Sequence, residues 1–275
     1  MTTRLAIVGY GAITEEIVRV LFDRNLLGDV AGVLVRPERR EEAIQKAGRR
    51  FAVVDRLQDL LRLQPTIVAE CAGHGAMRQF ASEILRAGVP LLCSSVGVLA
   101  DKAFASQILA EPGADGLLIP SGAIAGIDGL LAARTSGLRE VTYTSIKPPG
   151  AWIDTPAGKL LDASPAHRRT ILFQGTAREA ALAYTKNVNV GATVALAGIG
   201  LDRTAVSLVS DPAASGPLGI IEAAGDFGTF RFEILAYASP RNPKTSLLTA
   251  HSIVAAAYSG VRFPAAKALR EEHSP

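Results

Sequence analysis

The run Gly9-Tyr10-Gly11-Ala12-Ile13-Thr14 has the spacing with which a chain turns sharply and offers backbone N–H groups to a phosphate. It follows a short apolar segment and opens one with helical spacing, the setting that gives a glycine fingerprint its meaning. Gly9 permits the tight turn, Gly11 lets the backbone approach a pyrophosphate, and Tyr10, Ala12 and Ile13 belong to the same binding turn. Thr14 stands where a third glycine is usual. That position serves the packing of helix on strand rather than phosphate contact, so the anion site survives the departure. These residues point to a bound dinucleotide.

A carboxylate at the end of the second strand would accept hydrogen bonds from the ribose of NAD. The sequence reads Val33-Leu34-Val35-Arg36-Pro37-Glu38-Arg39-Arg40, with no acid at that place. Arg36 with Arg39 or Arg40 suits a 2′-phosphate, which points to NADP with NAD use left open. The other reading of these arginines is a solvated charged face. Ala72, in Cys71-Ala72-Gly73-His74, follows a later strand at the cofactor cleft, where His74 either lines the cleft or is a plain loop residue. Ser121-Gly122-Ala123-Ile124-Ala125-Gly126 also follows a strand, and its small residues leave room for a flat ring. In Lys186-Asn187-Val188-Asn189-Val190-Gly191, the Asn189 amide can both donate to and accept from a carboxamide. The alternative is helix capping, for which Asn187 is the better placed.

Positioning these groups falls to two kinds of element. Arg4 to Val8, Val30 to Val35, Thr66 to Glu70, Pro90 to Cys93 and Gly116 to Pro120 read as short apolar strands. Helical stretches alternate with them, at Glu15 to Phe22, Arg39 to Ala47, Met77 to Ala87 and from Lys102. This predicts an α/β fold, with a parallel, doubly wound Rossmann domain over residues 1–121. The pattern changes after Ser121: Val141 to Lys147, Thr204 to Ser210, Gly219 to Ala224 and Phe227 to Leu235 read as antiparallel strands around two helices, Ala177 to Tyr184 and Val190 to Gly200. This is an α+β C-terminal domain with a mainly antiparallel sheet, over 122–244, for substrate binding and dimerisation. The apolar stretch Thr245 to Tyr258 is expected to return as a helix and complete the first domain over about 245–275.

The 275 residues are 48% hydrophobic and 20% charged, enough for a sizeable core. The net charge of +3 is dispersed rather than clustered, which argues against a nucleic-acid partner. Cys71 and Cys93 lie at the ends of two expected buried strands and read as reduced core residues of a cytoplasmic protein. The four histidines and two cysteines have no metal-ligand spacing, so no metal is expected. No apolar run is long enough to span a bilayer, and the first strand begins too early for a signal peptide.

Several of these phrases, with Ser95-Val96-Gly97, Lys147-Pro148-Pro149, Glu179-Ala180-Ala181, Asp211-Pro212 and Asn242-Pro243-Lys244-Thr245-Ser246, occur in an order that resembles the L-aspartate dehydrogenase family. The resemblance covers nearly the whole chain. It implies an NAD(P)-dependent oxidoreductase interconverting L-aspartate and iminoaspartate, or oxaloacetate plus ammonia, in a homodimer linked to NAD biosynthesis. Ala123 and Asn189 are then the contacts to the nicotinamide. The family carries an Asn-x-His-x-Ile stretch after Asp-Pro, whose histidine serves in acid or base chemistry; the corresponding segment is Pro217-Leu218-Gly219-Ile220-Ile221. Glycine transfers no proton.

Two residues are candidates for the missing role. Lys244 either attracts a substrate carboxylate or forms a surface ion pair, and His251 is either an acid–base group or an interior histidine. His167, in a polar loop, is assigned no role. An iminium that arrives protonated needs alignment more than a strong base, so reduction of a related imine is a second form of the same activity. A rival from another class is a cofactor-binding sensor or partner subunit without turnover.

Overall fold

The computed structural model describes residues 3–153, 155–156, 158, 168–185, 187–239 and 242–272, with backbone alone at 238–239 and 242–245. It is an α/β fold whose residues fall into two compact units. The first comprises residues 1–95, 103–120 and 249–267, and the second 96–102, 121–248 and 268–275.

The first unit is built on a seven-stranded sheet. Its parallel strands are β1 (Leu5–Val8), β2 (Val30–Leu34), β3 (Ala52–Val54), β4 (Ile67–Glu70), β5 (Leu91–Cys93) and β6 (Leu117–Pro120). A late strand, β14 (Arg262–Pro264), adds antiparallel to β6, giving the order β14-β6-β5-β4-β1-β2-β3. The strand order reverses at β1 and β4, whose carboxyl ends therefore flank the crevice where such sheets bind ligands. The connecting helices are α1 (Ala12–Asp23), α2 (Arg40–Ala47), α3 (Leu57–Arg62), α4 (His74–Arg86) and α5 (Lys102–Leu109).

Leu5 and Ile7 of β1 are wholly buried with Ile17 and Leu21 of α1, each contributing about 2 kcal/mol of apolar burial. Ala250, Ile253, Val254, Ala256 and Ala257 join the same core, from the helix Leu247–Tyr258 that is α9 below.

The second unit has a five-stranded sheet in the order β11-β10-β7-β9-β8. Its strands are β7 (Leu138–Lys147), β8 (Thr170–Thr176), β9 (Ala205–Ser210), β10 (Leu218–Gly225) and β11 (Gly228–Leu235). The sequence suggested antiparallel pairing here. It holds for β10 with β7 and β11, and for β8 with β9, but β7 and β9 run parallel. A short hairpin follows, β12 (Ala238–Ser239) with β13 (Asn242–Ser246). The helices after α5 are α6 (Ile127–Ala133), α7 (Ala177–Ala183), α8 (Asn189–Ala197), α9 (Leu247–Tyr258) and α10 (Ala265–Glu272).

Alternation along β7 turns Val141, Tyr143, Ser145 and Lys147 to one side of the sheet. The side chains of Val141 and Tyr143 lie against α8, where Gly198 and Gly191 leave them space. Thr176 and Glu179 form a reciprocal capping box at the start of α7. No helix among the described residues is long and apolar enough to cross a membrane.

Candidate functional site

In the first unit, a cavity of about 630 Å³ opens at the carboxyl ends of β1 and β2. Gly9 adopts φ +97, in the region that favours glycine, and a Cβ there would come within 2.7 Å of Ala72 Cβ. Any other residue would push apart the two loops that frame the cleft. Gly11 caps α1 without a side-chain hydrogen bond, so the first N–H groups of this twelve-residue helix face the cavity with their positive dipole end. Space around Gly11 is open, as close backbone approach by a pyrophosphate requires. Thr14 is wholly buried, and its hydroxyl donates to the Gly9 carbonyl at 2.8 Å. The residue in place of the third glycine thus closes the turn.

Gly9, Tyr10, Gly11, Arg36 and Ala72 all line the cavity. Ala12 and Ile13 form the first helical turn, with Ile13 packed into the core. Beside Ala72 the lining continues through Gly75 and Ala76, and His74 opens α4 as its first residue. At the far end, Arg36, Arg39 and Lys46 meet Glu42 and Asp55. Arg36 lies 3.3 Å from Glu38, Arg39 holds Glu42 at 2.9 Å, and Arg40 lies 3.7 Å from Asp55. Asp55 escaped the sequence reading because β3, which it follows, is three residues long.

Glu70 was also missed, being read only as strand. It is 2% exposed at the end of β4, and its carboxylate accepts from the N–H of Ala72 and Gly73 at 2.7 and 2.6 Å. The N–H and hydroxyl of Ser95 donate to it at 3.1 Å each. Burial pushes its carboxyl above the usual range, against the pull of these hydrogen bonds. The carboxylate fixes the loop carrying Ala72. Burial likewise pushes up the thiols of Cys71 and Cys93, both free.

Of the sequence candidates in the second unit, Gly219 lies beside β7 and Asn189 opens α8. Gly219 sits in β10 in register with Ser145 of β7, and a Cβ on it would lie 2.9 Å from Ile124 Cδ1 and 3.6 Å from the Tyr143 hydroxyl. Tyr143 shares a hydrogen bond with Ser145, and burial raises its phenol to about 12. Asn189 is the first residue of α8; its side-chain oxygen accepts from the Gly97 N–H at 3.0 Å, tying the 96–100 turn to the helix. Among the described residues the N-cap of this helix is Val188 rather than Asn187, and it makes no side-chain cap hydrogen bond. Ala123 follows Gly122, whose Cβ position lies 3.9 Å from Val190 of α8.

His251 belongs to the first unit, where its Nε2 lies 3.3 Å from Glu16 of α1. Lys244 has its backbone in β13, and its side chain lies outside the described residues, as do Lys186 and His167 altogether. Among the described residues, no group of three His, Cys, Asp or Glu could hold a metal.

Lys147 was read in the sequence only as part of a phrase. Its ammonium stands 5.2 Å from the ring of Trp152, and no carboxylate among the described residues pairs with it. Some of its surface stays open, yet protein atoms crowd the ammonium enough that burial pulls its pKa down to about 8.

Two family models match in succession: the NAD-binding domain of homoserine dehydrogenase over residues 9–118, and the C-terminal domain of aspartate dehydrogenase over 128–259. The L-aspartate dehydrogenase of Cupriavidus taiwanensis is 41% identical over 258 residues, 92% of this chain and 95% of that one. That of Ruegeria pomeroyi is 40% identical over 255 residues, 92% and 90% of the two chains. Among solved structures, the aspartate dehydrogenase of Thermotoga maritima superimposes with a TM-score of 0.68 at 25% identity, covering 92% of this chain and 94% of that one.

Proposed function

The chain belongs to the L-aspartate dehydrogenase family, and from that premise we propose that it interconverts L-aspartate with iminoaspartate, or oxaloacetate plus ammonia, using a nicotinamide cofactor. The observation that carries this reading is the uncapped start of α1, opening onto a cavity framed by Gly9 and Ala72, in a chain whose second half matches the aspartate dehydrogenase domain.

The residues present fit the cofactor. The N–H groups beyond Gly11 would hold its pyrophosphate, and Glu70 fixes the neighbouring Ala72 loop. Arg36, supported by Arg39 and Lys46, favours NADP through its 2′-phosphate, with NAD accepted less well. By the family resemblance, Ala123 and Asn189 would serve the nicotinamide end; the Asn189 side-chain oxygen accepts from the Gly97 N–H. When bound, the nicotinamide supplies or takes up a hydride at C4. The protein aligns the substrate carbon and excludes water.

With Gly219 at the position of the family histidine, reduction of a protonated imine needs less from the protein than oxidation of aspartate. A related imine is therefore a second substrate class. Lys244 and His251 stay as candidates for carboxylate or proton handling, with the bond to Glu16 favouring a structural place for His251. A homodimer in the cytoplasm completes the reading. Gly219 also supports one rival, a cofactor-binding sensor without turnover.

The test is oxidation of NADPH and NADH by the purified protein with oxaloacetate and ammonia, against pyruvate, 2-oxoglutarate and a cyclic imine. Ammonia-dependent turnover with oxaloacetate establishes the activity. Turnover with another imine alone moves the substrate, and cofactor binding with no turnover leaves the sensor.

A further inference from the structure

Lysine buried beside apolar groups normally has a carboxylate partner, because an isolated charge loses its hydration on burial. Lys147 has none among the described residues. Its ammonium is held by the face of the Trp152 ring, and Trp152 itself is wholly buried, edge-on to Tyr184. Among the described residues, the acid best placed to answer is Asp211, whose backbone N–H donates to the Lys147 carbonyl. Its carboxylate is engaged elsewhere, accepting from the Ala213 N–H at 2.9 Å and lying 3.9 Å from Arg169.

Directly across the sheet, Ser210 of β9 is in register with Lys147, so the two side chains leave the same face. Ser210 is 1% exposed, and its hydroxyl has no hydrogen-bond partner among the described residues. The Trp152 ring N–H is orphaned in the same way. A cation without an anion, beside an unused buried hydroxyl, is the donor set of a site rather than of a finished core. We propose that Lys147 and Ser210 form an anion seat in the second unit, and that it takes one carboxylate of the amino or keto acid substrate.

The placement agrees with the chemistry. Ser145 lies one two-residue step, roughly 7 Å, back along β7 from Lys147, and is in register with Gly219. The seat therefore shares a face with the position of the family histidine. Pro148 and Pro149 end the strand immediately beyond, contributing no N–H donors of their own. The strength of the seat falls as pH rises through the lysine's value of about 8. That the anion is a substrate carboxylate rests on the proposed dehydrogenase activity; the anion seat itself does not.

Trp152 is the only tryptophan of the chain, so its fluorescence reports on the seat directly. Malonate is titrated into the full chain with saturating oxidised cofactor, with inorganic phosphate and chloride as parallel arms. The expected result is a saturable change in emission with malonate, weakened at least about thirtyfold in Lys147→Met and several-fold in Ser210→Ala. In turnover, Lys147→Met should raise KM for oxaloacetate while the cofactor Kd stays put.

Malonate binding equal to wild type in Lys147→Met overturns the proposal, as does a response to phosphate but not to malonate. So does a silent malonate titration together with an unchanged KM. Should Lys147→Met fail to fold, Ser210→Ala and the loss of wild-type malonate affinity above pH 8 decide the matter in the same directions. Malonate binding through Lys147 without any dehydrogenase turnover would leave the seat standing and remove the activity; normal turnover with an unaltered KM in the variant would do the reverse.

Discussion

The hydroxyl of Thr14 donates to the carbonyl oxygen of Gly9 at 2.8 Å, from a position with no solvent exposure. The glycine turn is therefore closed by the residue that departs from the fingerprint. Thr14→Val keeps the shape and removes the donor, leaving a carbonyl short of a partner. We expect a loss of about 1–2 kcal/mol in denaturant unfolding and weaker cofactor binding by a few-fold. Unchanged stability and affinity would show that the hydrogen bond is incidental.

Arg36 lines the cavity, and its one ion pair among the described residues is weak: 3.3 Å to Glu38, with both side chains largely exposed. A phosphate could replace Glu38 at little cost. Arg36→Glu should lower the NADPH/NADH ratio of kcat/KM by at least about tenfold, equivalent to about 1.4 kcal/mol. A ratio that does not move would sink the assignment of cofactor preference to this residue.

The first sheet is legible in the sequence because its strands, such as Leu5–Val8 and Ile67–Glu70, are buried on both faces and appear as short apolar runs ended by turn residues. Ala52–Val54 is too short to register, and β8 slips its register between Ile171 and Phe173, which breaks the alternation. The glycine turn before α1 is equally legible as a turn, since its residues are contiguous. What escapes is chemistry made by pairing. Asn189 reads as a polar contact, yet its partner Gly97 is 92 residues away. Lys147 gains its meaning only from Ser210 across the sheet and Trp152 above it, and sequence spacing encodes neither neighbour.

Placing a histidine at Gly219, where the family resemblance expects one, meets an obstacle visible only in the fold. Its Cβ would stand 2.9 Å from Cδ1 of Ile124, a side chain 3% exposed. Gly219→His alone should lose about 1–3 kcal/mol of stability, and adding Ile124→Ala should recover part of it. In the double variant we expect faster aspartate oxidation and, by microscopic reversibility, faster reduction of iminoaspartate, with reduction of an unrelated cyclic imine little changed. A folded double variant with no gain in either direction would argue against a missing proton carrier.

His251 lies 3.3 Å from Glu16, a carboxylate that Arg19 already holds below its usual range. Its place is that of a second partner to a carboxylate that Arg19 already pairs. His251→Gln should leave kcat/KM within about twofold and stability within roughly 0.5 kcal/mol. A loss of tenfold or more in kcat, with the fold intact, would promote this histidine to the reaction.

A lysine kept for binding should burden the protein when no anion is bound. The folded pKa of Lys147, about 8, lies below the ordinary 10.5, so between those values the unfolded chain holds more protons than the folded one. Stability contributed by this group therefore rises with pH across that window and is lowest below pH 8. Lys147→Met removes the burden. At pH 7 the variant should be more stable than wild type by on the order of 2 kcal/mol, and the difference should close as pH approaches 10.5. Saturating malonate should narrow the same gap from the other side, by stabilising the wild type alone. A variant less stable than wild type at pH 7, or a gap that ignores pH, would mean that Lys147 supports the fold instead of waiting for an anion.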